Sequence, residues 1–207
     1  MRVGVLASGT GTNLQAILDR VHGREGIEVV AVGSDKPEAQ ALARAQAAGV
    51  PTRSFPNEAF ADRAQRDVAM ADWLAEHGVE LVVLAGYMQL LAPGFLARFP
   101  QRIINVHPAL LPAFRGIGAI RQALDYGVKV FGVTIHFVDE GVDSGPIILQ
   151  RALELPDATD SDEVHAALQP LEYELLTEAI RLMARGAVSF DPANPRRVVV
   201  AGYRPAR

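Results

Sequence analysis

The chain has no cysteine among its 207 residues, which excludes disulfide bonds and thiol catalysis. Aromatic residues make up only 6%, and the net charge of −4 gives no sign of a basic surface for nucleic acid. The first apolar run ends at Ser8, which is too early for a signal-peptide core or a membrane span. We therefore expect no nucleic-acid or membrane partner and a cytoplasmic location. The protein is also expected to be a monomer or a homodimer, which composition does not decide.

Hydrophobic residues make up 49% of the chain, which is enough for a sizeable core. We expect a single domain over residues 1–207, with halves at 1–100 and 101–187 and a tail at 188–207. Strand-like segments alternate with helical ones, which predicts an α/β fold: a doubly wound, mostly parallel, Rossmann-like sheet flanked by helices. The predicted strands span 2–7, 28–32, 51–55, 81–85, 102–107, 130–138 and 147–155. The predicted helices span 12–21, 39–48, 62–77, 93–99, 119–126 and 162–184, the last either continuous or broken at Pro170.

An amide and an imidazole stand two residues apart at the end of a predicted buried strand. Side chains alternate along a strand, so Asn105 and His107 are expected on the same face. Pro108 has no amide hydrogen and is expected to end the strand. A titratable ring beside an uncharged donor suits a reaction in which negative charge develops on an oxygen. The alternative is a strand end at which both side chains are merely solvated.

The segment from Ser8 to Asn13 joins the first strand to the first helix and contains two glycines. Glycines let the backbone approach a ligand closely, and a helix start attracts anions, so the segment predicts a phosphate cradle. The alternative is an ordinary turn with Thr10 or Thr12 as the helix N-cap. A P-loop lysine is absent, and Leu14 replaces the third glycine of the dinucleotide fingerprint. A terminal monophosphate fits best, but Asp35 mimics the acidic residue of that fingerprint and keeps a dinucleotide open.

Asp143 lies in a turn-rich segment between two predicted strands. A carboxylate near an imidazole raises the pKa of the ring, so Asp143 is a candidate to keep His107 charged. The alternative is an ordinary turn aspartate. His136 lies in an apolar strand and is predicted to be a hydrogen-bonded, half-buried ring. The histidines are scattered along the chain, and their spacing predicts no metal site.

Tyr87–Leu91 follow a continuous apolar strand at its carboxyl end. Core packing is one interpretation of this stripe. The other is a pocket for a flat heteroaromatic ligand, because ligands of doubly wound sheets bind at the carboxyl ends of strands.

Four segments together resemble the phosphoribosylglycinamide formyltransferases, which are folate-dependent members of the formyltransferase family. They lie within Ser8–Ile17, Leu84–Met88, Asn105–Pro112 and His136–Ile147. The last two are shared with methionyl-tRNA formyltransferase and formyltetrahydrofolate hydrolases, whereas the first is specific to the glycinamide enzymes. The resemblance implies transfer of a formyl group from 10-formyltetrahydrofolate, a co-substrate, to the amine of 5-phosphoribosylglycinamide in purine biosynthesis, without a metal.

The resemblance also implies a set of site residues, with a phosphate-binding half at 1–100 and a catalytic, folate-binding half at 101–187. The catalytic set would be Asn105, His107 and Asp143. The ribonucleotide would contact Gly11, Thr12, Asn13, Pro108 and Glu172. The folate would contact Arg63, Met88, Gln89, Leu90, Leu91, Asn105, Asp139, Glu140, Gly141, Val142 and Asp143.

In the implied reaction the amine attacks the formyl carbon and an oxyanion forms. Asn105 would donate to that oxyanion, while protonated His107 would stabilise it and help protonate the leaving folate nitrogen. The family usually has polar residues near Gly118 and Ile120, so no role is carried onto either, although the 113–120 loop could still act as a lid. The alternatives are hydrolysis of the same formyl donor and a noncatalytic nucleotide-binding module.

Overall fold

The structure, a computed structural model, describes residues 1–203. The strands are β1 (Arg2–Leu6), β2 (Glu28–Ser34), β3 (Thr52–Ser54), β4 (Leu81–Leu84), β5 (Ile103–His107), β6 (Val130–Phe137), β7 (Ile147–Glu154), β8 (Val188–Asp191) and β9 (Asn194–Val200). The α-helices are α1 (Thr12–Arg20), α2 (Gln40–Ala47), α3 (Arg63–Glu76), α4 (Pro93–Arg98), α5 (Ala119–Tyr126) and α6 (Ser161–Ala184). The described residues form two compact units, one of residues 1–105 with 138–142, the other of 106–137 with 143–203.

The first unit contains a parallel sheet in the strand order β3-β2-β1-β4-β5. Every residue of β4 is buried, as its continuous apolar sequence predicts for a strand covered on both faces. Helix α3 begins after Asp62, whose carboxyl group accepts a hydrogen bond from the backbone N–H of Gln65 at 2.8 Å. Because all five strands run in the same direction, their carboxyl ends lie along one edge of the sheet. The core residues of this unit include Leu6, Phe55, Met70, Trp73, Leu74, Val82 and Phe95.

The second unit is mixed. Strands β6 and β7 are antiparallel, β9 runs parallel to β7, and β8 is antiparallel to β9. Helix α6 packs on β6 and β7 through its buried face. It begins after Asp160, whose carboxyl group accepts from the backbone N–H groups of Asp162 and Glu163.

The doubly wound, mostly parallel sheet predicted from the sequence is confirmed. Helix α6 is continuous, so the predicted alternative of a break at Pro170 is wrong. That proline lies on the exposed face, where water can bond the backbone groups that the ring leaves unpaired. The predicted tail at 188–207 contains the β8–β9 hairpin, whereas the organisation into one domain with those halves stays a prediction. No helix within residues 1–203 is long and apolar enough to cross a membrane.

Candidate active site

Strand β5 carries both residues of the amide–imidazole pair. Asn105 lies in the middle of the strand, in register with Leu84 of β4, and is half-buried. His107 is the last residue of the strand and is 4% exposed. The strand ends immediately before Pro108, as the missing amide hydrogen of proline predicts.

The His107 ring lies in a cluster of polar groups in the second unit. Its Nδ1 is 3.2 Å from Oδ2 of Asp143, and its Nε2 is 2.8 Å from the backbone carbonyl oxygen of Phe114. A second ring faces the same carboxyl group, because Nε2 of His136 lies 3.5 Å from Oδ1 of Asp143. The backbone N–H of Gly116 donates to Oδ2 of Asp143 at 2.8 Å. Asp143, which the sequence gives as a candidate partner of His107, is therefore in contact with it.

The backbone of Asp143 explains how its side chain reaches the rings. Its φ is +45°, in the left-handed region that aspartate and asparagine tolerate better than most other residues. This residue is the only non-glycine residue with positive φ between β6 and β7 within the part of the chain that the structure describes. The turn thus has a residue type that fits its backbone, and the carboxyl group is directed at two imidazoles.

Opposing effects act on the pKa values in this cluster. Burial lowers the pKa of His107 below its usual 6.5, and this effect exceeds the opposing influence of the Asp143 charge and the Phe114 carbonyl. Burial alone would raise the pKa of Asp143, but the hydrogen bond with His136 and the charge of His107 bring it down to about 2. Asp143 does favour the charged ring, as expected. The expectation that Asp143 raises the net pKa of His107 is wrong, because the desolvation of the ring outweighs that attraction.

Sequence reasoning missed the position of His136. This residue was expected to be half-buried, but it is 2% exposed and contacts Asp143. Its Nδ1 also lies 2.8 Å from the carbonyl oxygen of Phe137. The signal was the polar ring inside the apolar strand β6, since a buried imidazole needs polar partners. The sequence could not identify Asp143 as one of those partners.

Two of the residues implied for the ribonucleotide also belong to the second unit. Glu172 lies on α6 and is only 5% exposed. A carboxyl group at such a position is uncommon in a helix interior unless it binds a polar partner. Pro108 is half-buried directly after β5.

The three other residues implied for the ribonucleotide lie at the start of α1 in the first unit. Gly11 is the N-cap residue with φ of +72°, and a Cβ there would lie 2.7 Å from Cα of Ala41. The backbone conformation and the contact with α2 therefore require glycine at this position. The N-cap residue of α1 is Gly11, so the alternative of a threonine N-cap is wrong. Thr12 is half-buried and Asn13 is buried.

The surroundings of Asp35 argue against the dinucleotide alternative. Its Oδ1 accepts from the hydroxyl group of Ser8 at 2.5 Å, and its Oδ2 accepts from Nε2 of Gln89 at 3.0 Å. The side chain is buried. In a dinucleotide site this carboxyl group would have to accept from ribose hydroxyls. Here both oxygens already bind groups of the protein.

The residues implied for the folate are all in the first unit except for Asp143. Met88 and Leu90 are exposed, whereas Gln89 and Leu91 are half-buried. Arg63 is the exposed first residue of α3. In the 139–142 loop, Oδ1 of Asp139 accepts from the backbone N–H of Gly141 at 3.1 Å. Asp139 is half-buried, and the exposed members of this loop are Glu140, Gly141 and Val142.

Comparisons with known proteins give a consistent result. A family model described as formyl transferase matches residues 1–180. The phosphoribosylglycinamide formyltransferase of Mycobacterium tuberculosis is 43% identical over 188 residues, covering 91% of this chain and 87% of that protein. The Bacillus subtilis protein of the same name is 38% identical over 181 residues, covering 87% and 93%. A crystal structure of glycinamide ribonucleotide transformylase 1 from Symbiobacterium toebii matches with a TM-score of 0.92 and 46% identity, covering 97% of this chain and 93% of that one.

Proposed function

This chain belongs to the formyl transferase family, and from that premise we propose that it is a phosphoribosylglycinamide formyltransferase. It transfers the formyl group of 10-formyltetrahydrofolate to the primary amine of 5-phosphoribosylglycinamide. The observation that carries the chemistry is the 3.2 Å contact between Nδ1 of His107 and Asp143 at the end of β5. A carboxyl group that orients an imidazole is suited to proton transfer during acyl transfer.

The lowered pKa of His107 favours the neutral imidazole, which can accept a proton. The amine nitrogen attacks the formyl carbon, the new C–N bond forms, and the carbonyl electron pair moves to the oxygen. His107 takes a proton from the attacking nitrogen and becomes an imidazolium beside Asp143. When the oxyanion collapses, the bond to the folate nitrogen breaks and that nitrogen takes the proton from the ring. Atoms and charges balance without another reactant.

The nitrogen of His107 that exchanges this proton is Nε2, because Nδ1 faces Asp143. Nε2 lies 2.8 Å from the carbonyl oxygen of Phe114. The substrate can contact Nε2 only after the contact between Nε2 and the Phe114 carbonyl oxygen is broken. The 113–120 loop, to which Phe114 belongs, therefore has to move when substrate binds, which agrees with a role as a lid.

We assign Asn105 the role of oxyanion donor. It lies two positions before His107 in β5, and alternation along a strand directs both side chains to one face. Its amide N–H group donates to the oxygen as negative charge develops there. A preorganised donor of this kind contributes about 3–4 kcal/mol to transition-state stabilisation.

The formyl acceptor in this proposal is a phosphorylated amine. The start of α1 provides backbone N–H groups and a positive dipole end for the 5-phosphate. Gly11, Thr12 and Asn13 are assigned to that phosphate, and Glu172 and Pro108 to the rest of the ribonucleotide. Hydrolysis of the formyl donor would need no phosphate site, and a noncatalytic module would need no paired His107 and Asp143. Both alternatives are therefore disfavoured.

The folate is a co-substrate in this proposal. Exposed apolar side chains of Met88 and Leu90 suit a flat ring system. Gln89 and Leu91, the 139–142 loop and Asp143 are assigned to the same molecule, with Arg63 near its acidic tail. Within residues 1–203 no group of three or more metal-ligating side chains could hold an ion. The absence of a metal, the cytoplasmic location and the monomer or homodimer stay predictions.

The test is a turnover assay with 5-phosphoribosylglycinamide and 10-formyltetrahydrofolate, in which release of tetrahydrofolate is followed. We expect turnover that requires the amine. A reaction without phosphoribosylglycinamide is the control for hydrolysis, and the dephosphorylated amine is the control for the phosphate site. Release of tetrahydrofolate at the same rate without the amine would favour the hydrolase. Equal rates with the phosphorylated and the dephosphorylated amine would contradict a phosphate site at the start of α1.

A further inference from the structure

The segment Tyr87–Ala92, or 87–92 segment, combines two properties. Its backbone is bound to buried polar side chains, yet two of its apolar side chains are exposed. Met88 is 60% exposed and Leu90 is 55% exposed. A segment that is fixed in place and presents apolar groups is typical of a ligand-binding edge.

Asp35 binds the first part of this segment in two ways. The hydroxyl group of Ser8 donates to Oδ1 of Asp35 at 2.5 Å and accepts from the backbone N–H of Met88 at 2.9 Å. The side-chain amide of Gln89 donates directly to Oδ2 of Asp35 at 3.0 Å. Ser8 and Asp35 are only 4% and 6% exposed. The carboxyl group thus determines the positions of two consecutive residues in the 87–92 segment.

Asp67 binds the other end of the segment. Its Oδ2 accepts from the backbone N–H of Ala92 at 2.6 Å. Its Oδ1 accepts from two nitrogens of Arg66, at 2.9 and 2.7 Å. Both side chains are at most 1% exposed. Loss of Asp67 would leave a buried guanidinium without this partner, so its substitution is expected to impair folding. Asp35 has uncharged partners and is the better position for a test.

We infer that Asp35 is a positioning residue for the folate: it holds Met88 and Gln89, through Ser8 and the Gln89 amide, in the arrangement that receives the pterin. This inference rests on the proposed function, since it concerns the folate site of that reaction. Asp35 itself does not touch the folate. Its effect passes through the backbone of the 87–92 segment, so it acts on folate affinity rather than on proton transfer at His107.

The test reverses the polarity of one hydrogen bond. Gln89→Glu places two carboxyl groups against each other where an amide now donates, and it should weaken binding of tetrahydrofolate by about tenfold. The double variant Asp35→Asn with Gln89→Glu restores a donor and an acceptor, with the amide now at position 35. Its affinity for tetrahydrofolate should return to within about threefold of the wild type. Asp35→Asn alone should have a small effect, because the Gln89 amide can turn its oxygen toward the new amide.

The chain offers a matched control. Nε2 of Gln15 donates to Oδ1 of Asp19 at 2.9 Å in an exposed pair on α1. Gln15→Glu makes the same substitution in a second glutamine–aspartate pair, outside the 87–92 segment, although here Nη1 of Arg44 also donates to Oε1 of Gln15 at 3.1 Å. It should leave the affinity for tetrahydrofolate unchanged.

Calorimetric titration with tetrahydrofolate measures binding without turnover, so it separates this inference from the proposed function. A wild-type protein that binds tetrahydrofolate but transfers no formyl group would refute the proposed function. The same three variants would then still test the role of Asp35 in binding tetrahydrofolate. Unchanged binding in Gln89→Glu, or no recovery in the double variant, would overturn the positioning role. If Gln89→Glu does not fold, amide exchange in the wild type decides: slow exchange at Met88 supports the inference, and exchange at the rate of an exposed amide overturns it.

Discussion

Asp35 in the first unit and Asp143 in the second are carboxyl groups that each bind several partners, but the partners differ in kind. Asp35 binds a hydroxyl group and an amide, neither of which titrates near neutral pH. Asp143 faces two imidazoles and accepts from a backbone N–H. The first arrangement can only fix positions. The second also couples the carboxyl group to protons that move during the proposed reaction.

The comparison leads to separate expectations for kinetics. Changes around Asp35 should appear in the affinity for folate and should depend little on pH between 6 and 8. Changes around Asp143 should appear in kcat and in its pH dependence. The predictions below test this division, beginning with the largest effect.

Asp143→Asn should lower kcat by about a thousandfold, because the orienting charge beside His107 is lost. Asparagine tolerates the left-handed backbone at this position, where φ is +45°, so the fold should be retained. Affinity for tetrahydrofolate should change far less than kcat. Steady-state kinetics and circular dichroism measure both effects, with Asp35→Asn as the contrasting carboxyl-to-amide change.

The same variant makes a prediction about the ring itself. Burial lowers the pKa of His107 and the charge of Asp143 acts against that effect, so the pKa should fall further in Asp143→Asn. NMR titration of the His107 ring measures this shift. The same pKa in the wild type and the variant would mean that Asp143 has no electrostatic effect on the ring, and the comparison with Asp35 would collapse.

Asn105→Ala should lower kcat by about a hundredfold, because an uncharged donor to the oxyanion is removed. The KM values of both substrates should change less, since the donor acts mainly in the transition state. The half-buried side chain should contribute little to the melting temperature. Wild-type kcat in this variant would reduce Asn105 to a residue of β5 without a catalytic role.

The free energy of unfolding should fall at acidic pH because His107 and Asp143 in the second unit take up protons. The folded pKa of His107 lies below 6.5, so the unfolded chain binds more protons as pH falls through 6.5 and the folded state loses stability. The folded pKa of Asp143 is about 2 against the usual 3.8, so its contribution is present above 3.8 and is lost as pH falls toward 2. That contribution is about 2 kcal/mol.

Urea unfolding between pH 3 and 8 measures this profile. In Asp143→Asn the loss of stability below pH 6.5 should be steeper, because His107 has a still lower pKa. The further loss below pH 4 should be smaller, because the titrating carboxyl group is gone. Profiles of equal shape in the wild type and the variant would contradict the assignment of both pKa shifts.

Hydrophobic periodicity was sufficient to predict the sheet of the first unit, because strands such as β4 are buried on both faces and read as continuous apolar runs. It was insufficient for the β8–β9 hairpin. Arg196 and Arg197 lie in β9 but are exposed and polar, so they carry no hydrophobic signal. An edge hairpin is stabilised by backbone pairing, which leaves little trace in side-chain hydrophobicity.

For the candidate site, the sequence indicates Asp143 as a candidate partner of His107, and the two are in contact. The predicted rise of the His107 pKa is wrong in sign. The sign of a pKa shift depends on whether the effect of burial or the effect of nearby charges is larger. How deeply a strand end is buried depends on the packing of the whole chain, which the sequence does not show. The sequence presents Asp35 as a mimic of the acidic residue that binds ribose in dinucleotide sites. Its partners Ser8 and Gln89 are 27 and 54 residues away in sequence, so only the fold shows that they bind it.

The smallest expected effects are those of alanine substitutions at Gly9 and Gly11 in the loop before α1, and the two positions should differ. Gly11→Ala should reduce stability by about 1–3 kcal/mol, because φ is +72° and the new Cβ would lie 2.7 Å from Cα of Ala41. Gly9→Ala should leave stability nearly unchanged, because a Cβ there meets nothing within 4 Å. If the phosphate approaches the loop backbone closely, Gly9→Ala should still raise the KM for phosphoribosylglycinamide, with the KM for folate unchanged. Thermal unfolding and steady-state kinetics on both variants test this. A Gly9→Ala enzyme with both KM values of the wild type would show that the phosphate does not approach the backbone at Gly9.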